Sequence, residues 1–322
     1  MLRQPPLTPL IHSEKLGVHW GLDNLWFKNE TTGLSGSFKD RGAVVAVREA
    51  FQQGYTTIVT ASSGNAGAAI AAHAARAGLN AIILVDPTVA SGKLRQIHAY
   101  GAEVRMIEGL FDQPSEQFIV LLKQIAKTEQ AYLAFFWEPV NPVILEGFEL
   151  IAEEIVQQLG QSPDVVLIPT GGGDHLVAQG RAYLRLWRHG WTHHVPQLVA
   201  VQPENACPLV DAVAHHLNDV PFRPNPQTIA SGLRVAFSGR HALELIQQSE
   251  GTTPHYHMAV TASEDAIAET TKRLAETEGL WIEPSGVAAL AAIPDLLSQQ
   301  LIDPKACIVA PLTGAGWKDA PP

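Results

Sequence analysis

The strongest constraint on this chain is an alternation between short apolar runs and longer helical stretches. Thr57–Thr60 precedes an Ala-rich helix from Asn65 to Arg76, closed by Gly78. Ala81–Val85 precedes a helix from Lys93 to Tyr100, and Glu103–Ile107 precedes one from Ser115 to Thr128. Tyr132–Phe135 leads to a long amphipathic helix from Val143 to Leu159, and Val165–Ile168 to a helix from Leu176 to Trp187. Leu198–Val201, with a helix from Pro208 to Leu217, and Met258–Thr261, with a helix capped by Ser263, continue the pattern up to a last strand at Ala306–Ala310. Strands that are apolar throughout and separated by helices imply parallel sheets covered on both faces. The fold class is α/β. Residues 218–235, rich in Pro and Asn, read as an irregular connection near a substrate entrance or a subunit contact. Gly42 and the Asn141-Pro142 segment read as crossings between two lobes.

The 322 residues suffice for two domains, and 46% apolar content can fill their cores. A net charge of −10 without a basic run argues against nucleic acid and acidic membranes as partners. Cys207 and Cys307 lack metal-ligand spacing and suit a reducing compartment. No apolar segment follows Met1, and none is long enough to cross a membrane, so a cytoplasmic protein is expected.

Four stretches carry chemistry. In Ser35-Gly36-Ser37-Phe38-Lys39-Asp40-Arg41-Gly42 a lysine sits in a small-residue turn ahead of an apolar helical run. A desolvated amine there could form an imine, and a solvated charge cluster is the plainer alternative. Thr60-Ala61-Ser62-Ser63-Gly64-Asn65-Ala66-Gly67 joins a strand to a helix with hydroxyls and an amide at the turn. It offers a site for a carboxylate or phenolate, or an ordinary N-cap. In Pro169-Thr170-Gly171-Gly172-Gly173-Asp174 three glycines let backbone N–H groups converge on an oxyanion at a helix start. It is neither a P-loop nor a Rossmann fingerprint, because no Gly-Lys-Ser/Thr follows and Leu176 takes the third glycine's place. Glu283-Pro284-Ser285-Gly286 and Leu312-Thr313-Gly314 each place a hydroxyl at the edge of a presumed parallel sheet, where α/β proteins bind ligands.

Together, and in this order, these motifs resemble threonine synthase and its relatives, the fold-type II pyridoxal-phosphate (PLP) enzymes that also include serine/threonine dehydratases and cysteine synthase. The resemblance covers nearly the whole chain. It implies two domains, each an open and mostly parallel sheet flanked by helices, with 1–42 plus 146–322 binding PLP and 43–145 forming a smaller domain. It also implies a homodimer acting on a small amino acid. By resemblance, Lys39 holds PLP as a Schiff base and shuttles protons, while Asn65 meets the phenolic oxygen. Ser62, Ser63, Asn65 and Ala66 surround the substrate carboxylate. Gly171, Gly172, Gly173 and Asp174 hold the phosphate, and Thr313 faces the pyridine nitrogen. A neutral hydroxyl there suits elimination or replacement at the β or γ carbon better than transamination.

The match departs from threonine synthase where that enzyme binds its substrate's own phosphate. Ile144 stands in place of an arginine, Glu138-Pro139 in place of a polar pair, and Ala66 in place of a threonine. An isoleucine cannot pair with a phosphate dianion, and a carboxylate repels one. The expectation is a PLP-dependent lyase or replacement enzyme that does not use O-phosphohomoserine. The alternatives are authentic threonine synthase, with Lys28, Arg41 or Arg234 binding the phosphate, a serine/threonine dehydratase, a non-catalytic PLP-binding paralogue and a nucleotide-binding module. His73, His193, His194, His215 and His216 are expected at the surface or in caps.

Overall fold

The computed structural model describes residues 7–319 except 63, 88–90, 112, 237 and 250–256. Its strands form two sheets. β1 (Leu10–His12) and β2 (Leu25–Asn29) begin one sheet. The chain then leaves to build β3 (Thr57–Ala61), β4 (Asn80–Val85), β5 (Glu103–Met106) and β6 (Tyr132–Leu133) as a second sheet. It returns with β7 (Val165–Pro169), β8 (Gln197–Pro203), β9 (Met258–Ala262) and β10 (Ile308–Leu312). The strand orders are β1-β2-β10-β7-β8-β9 and β5-β4-β3-β6. Apart from the antiparallel β1–β2 pair, neighbouring strands run parallel. The expected α/β architecture is present.

The helices are α1 (Leu16–Trp20), α2 (Lys39–Gln52), α3 (Asn65–Ala77), α4 (Ser91–Ala99), α5 (Ser115–Thr128) and α6 (Ile144–Leu159). The second half adds α7 (Asp174–Arg188), α8 (Pro208–Ala214), α9 (Arg240–Ser249), α10 (Glu264–Glu278), α11 (Pro284–Ala291) and α12 (Ile293–Ser298). Ser263 caps α10 as expected, its Oγ accepting from Ala266 N at 3.1 Å. Gly78 closes α3 in the left-handed region at φ +73°.

α2, α3, α6 and α7 share one apolar core with both sheets. α2 and α6 touch at backbone distance: a Cβ on Gly147 would lie 2.1 Å from Arg41 O. Only glycine permits this crossing. From Ala66 to Ala74 α3 is buried on all sides, as its lack of a polar face dictates.

Several expectations are corrected. His73 is not a surface residue; it is 5% exposed, with Nε2 3.2 Å from Asp40 Oδ1. The strand at Tyr132–Phe135 stops at Leu133, and the helix from Pro208 stops at Ala214. Residues 218–235 are irregular except for a 3-10 turn at Ser231–Leu233. α1, α9 and α12 are additional elements.

Candidate active site

The site lies where β3, β7 and β10 end, the edge at which α/β sheets bind ligands. Lys39 is the first residue of α2, not part of a turn ahead of it. Its position is fixed from β10: Phe38 N donates to Thr313 O at 3.0 Å, and Ser37 bridges Gly314. The ammonium finds no carboxylate or carbonyl within hydrogen-bonding distance among the described residues. It sits instead over Phe38, Phe148 and Phe136, with Nζ 4.5, 5.2 and 5.1 Å from the ring centroids. Desolvation lowers its pKa to about 8, and only the more distant Asp174 carboxylate opposes the fall. A larger neutral fraction makes the amine a better nucleophile.

Asn65 opens α3, and its Nδ2 donates to Glu283 Oε1 at 2.5 Å. An amide carries two N–H groups, so one remains for a second acceptor. Asn65 Oδ1 and Thr60 Oγ1 are buried without hydrogen-bond partners among the described residues. Ser62 Oγ is turned inward to accept from Gly64 N at 3.1 Å. Ala66 is buried; Ser63 lies outside the described residues. Thr313 and Glu283 are both buried, and Glu283 N donates to Gly314 O at 2.9 Å. A Cβ on Gly314 would lie 2.3 Å from Glu283 Oε1, so glycine lets the carboxylate pass.

Gly171, Gly172 and Gly173 form the turn between β7 and α7. Gly173 adopts φ +101°, and a Cβ there would lie 2.5 Å from Ala242 Cβ. Both the backbone angle and the space require glycine. A second segment braces the loop: Ser238 Oγ donates to Gly171 O at 2.7 Å and Gly239 N to Gly172 O at 2.8 Å. Asp174 Oδ1 accepts from Glu138 N at 2.7 Å and lies 3.3 Å from His241 Nε2.

The structure adds residues that the sequence reading did not place here. Lys93 of α4, 1% exposed, donates to Ser231 Oγ at 2.6 Å and Asp319 Oδ2 at 3.1 Å, and lies 3.5 Å from Glu283 Oε2. It packs against Gly64 of the Ser62–Asn65 turn. The only sequence signal was its proximity to Gly92, where a Cβ would lie 2.8 Å from Lys318 O. His241 also enters, two residues after Gly239, beside the Asp174-His175 pair, which the sequence offers as either catalytic or a helix-dipole partner.

Two proposed phosphate ligands are excluded. Lys28 donates to Glu154 Oε2 at 2.6 Å and Thr8 O at 2.8 Å. Arg41 is held by Glu30 and Glu154, with Nε 2.6 Å from Glu30 Oε2 and Nη1 2.6 Å from Glu154 Oε1. Neither is free to bind substrate. Arg234 remains exposed, in the segment that covers Gly171. A separate cleft of about 670 Å³, lined by Glu49, Tyr55, Lys127 and Asn141, does not contain Lys39.

Two mostly parallel sheets, an unpaired and partly neutral lysine, a glycine turn and buried polar groups suit an enzyme that works through a carbonyl-bearing, anionic cofactor. The chain belongs to the pyridoxal-phosphate-dependent enzyme family, whose model matches residues 3–314. It is similar to threonine synthase of Methanocaldococcus jannaschii, with 36% identity over 97% of this chain and 75% of that protein. Its fold matches maize serine racemase, with a TM-score of 0.80 and 22% identity over 97% of this chain and 89% of the other. It also matches a fungal L-serine ammonia-lyase from Rhizomucor miehei, with a TM-score of 0.77 and 22% identity over 97% and 94%.

Proposed function

We propose that this PLP-dependent enzyme eliminates or replaces a group at the β or γ carbon of a small amino acid, and that O-phosphohomoserine is not its substrate. The residues present fit the cofactor: an amine free of acidic partners, a backbone cradle that a Cβ would fill, and an orphaned buried amide oxygen at Asn65. When bound, PLP supplies an aldehyde for the substrate amine and a ring that delocalises charge from the α carbon.

In this reading Lys39 would hold the cofactor through its aldehyde, and its Nζ would be the base placed to take the α proton. Glu283 orients Asn65 so that its second N–H reaches the phenolic oxygen. The Gly171–Gly173 amides and the start of α7 bind the phosphate. Ser62, Ser63, Asn65 and Ala66 surround the substrate carboxylate. Thr313 meets the ring nitrogen with a hydroxyl, which cannot stabilise a cation there as a carboxylate would. Residues 1–42 plus 146–322 form the cofactor domain, 43–145 the smaller one. A homodimer belongs to the same reading and is tested by light scattering.

The observation that carries the substrate assignment is that, among the described residues, Lys28, Arg41, Lys93 and Arg181 are each already held by a carboxylate. Ile144 is fully buried in the core, and Lys28 and Arg41 are bound to Glu30 and Glu154. Arg181 is matched by Glu138 at 2.8 Å and Lys93 by Asp319 at 3.1 Å. A second phosphate would face the Glu138 and Asp174 carboxylates. The exposed Arg234 supports the other reading, authentic threonine synthase. The test is turnover of L-serine, L-threonine, O-acetyl-L-serine, diaminopropionate and O-phosphohomoserine, with ammonia, 2-keto acid and threonine followed. Release of keto acid or a replacement product from an uncharged substrate supports the proposal. Efficient conversion of O-phosphohomoserine to threonine, lost in Arg234→Ala, overturns it.

A further inference from the structure

A second nitrogen base packs against the same aromatic rings as Lys39. His175 is the second residue of α7 and is 5% exposed. Its ring lies against Phe38, with centroids 4.7 Å apart and planes at 30°, and 6.2 Å from Phe148. These are two of the three rings that surround the Lys39 amine. Neither Nδ1 nor Nε2 has a hydrogen-bond partner among the described residues. Buried imidazoles are ordinarily satisfied on at least one nitrogen, and leaving both orphaned is costly.

Its surroundings explain the ring's position and its charge. Phe38 is tied through its backbone to Thr313, so the face it offers His175 is fixed beside the reacting amine. Burial, reinforced by the positive charges of Lys39 and Arg41, pushes the imidazole down to about 3. At neutral pH it is uncharged, with one N–H donor and one nitrogen acceptor. Such a group pairs well with a hydroxyl or ester oxygen and gives a phosphate dianion no compensating charge.

We propose that His175 is a specificity-determining residue, whose imidazole hydrogen-bonds the uncharged oxygen carried on the β or γ carbon of the substrate. The inference rests on the functional reading above and deepens it. The α7 helix then serves the site twice, its backbone start holding the cofactor phosphate and its second side chain reading the substrate.

The test compares wild type, His175→Leu and His175→Asn, each loaded with PLP, using L-serine, L-threonine and O-acetyl-L-serine as probes. The visible absorbance of the bound cofactor and its retention on dialysis are measured first, then kcat and KM. Ring ¹⁵N signals of the His175 imidazole are followed as L-serine is added to Lys39→Ala. His175→Leu should keep the cofactor and lose roughly tenfold or more in kcat/KM for the hydroxyl substrates. His175→Asn, which restores a neutral donor and acceptor, should recover most of the loss, and the ¹⁵N signals should move on binding. Unchanged kcat/KM in His175→Leu, loss of cofactor along with activity, or static ¹⁵N signals would each overturn the proposal. A wild type that never acquires visible absorbance rejects the functional reading itself, a separate failure.

Discussion

Lys39 and Arg41 stand two residues apart at the start of one helix, and their surroundings are opposite. Arg41 is met on every side: Glu30 and Glu154 take its N–H groups, Thr8 Oγ1 takes another, and Lys28 completes the cluster through Glu154. Burial alone would weaken the Arg41 charge, but Glu154 and Glu30 outweigh it and raise its pKa. Burial likewise opposes the charge of Glu154, and Arg41 and Lys28 outweigh it, holding the carboxyl below its ordinary range. Lys39 has only aromatic faces and a pKa lowered to about 8. A buried charge with matched partners serves the fold. One left unmatched beside other orphaned polar atoms stores reactivity that stability alone would not select.

The comparison can be broken most sharply by exchanging the consequences of the two residues. Lys39→Ala should lose roughly 10³-fold or more in turnover while keeping its fold, read by activity and circular dichroism. Arg41→Met should do the reverse. It strands the Glu30 carboxylate and leaves Glu154 only Lys28, and the urea midpoint should report a loss of about 3–5 kcal/mol. If Arg41→Met folds normally and only catalysis suffers, the division between the residues is wrong. Gly173→Ala should cost about 1–3 kcal/mol through its left-handed backbone and should also weaken cofactor retention on dialysis.

Smaller effects sharpen the contrast through pH. In the cofactor-free protein, Lys39→Met should raise stability at pH 7 by about 1–2 kcal/mol, since it removes a desolvated charge. The unfolded lysine keeps its proton to near 10.5, whereas the folded one releases it near 8. Wild-type stability therefore rises relative to the variant between those values, and the gap should close only once the pH passes 10.5. His175 behaves in the acid range: neutral when folded, it is protonated on unfolding below 6.5, so stability falls as pH drops toward 3. His175→Asn should flatten that acid limb, as thermal melts from pH 7 to 4 would show.

Much of this was readable from the chain, for identifiable reasons. Lys39, Asn65, the triple glycine and Thr313 sit at strand-to-helix junctions, where residue type and local order already carry the chemistry. The paired cluster around Arg41 was not readable, because its partners lie 11 and 113 residues away. Lys93 was missed for the same reason, with Ser231 138 and Asp319 226 residues distant. His73 misled because a lone histidine on an alanine-rich helix suggests a solvent face. The absence of other polar residues among Ala66–Ala74 was the better signal, since that helix has no side that needs water. β1, with three residues, is too short for periodicity. α9 buries Ala242, Leu243 and Ile246 at helical spacing, a stripe visible only once its limits are known.

The central claim is that the unmatched amine of Lys39, and neither of the other buried lysines near the site, holds the cofactor. Borohydride reduction of the PLP-loaded protein, followed by peptide mass spectrometry, tests it directly. The account predicts the cofactor mass on the peptide containing Lys39 and on no other. Label on Lys93, which is already bound to Ser231 and Asp319, or on Lys318, which donates to Ser35 O and Gln96 Oε1, would contradict it.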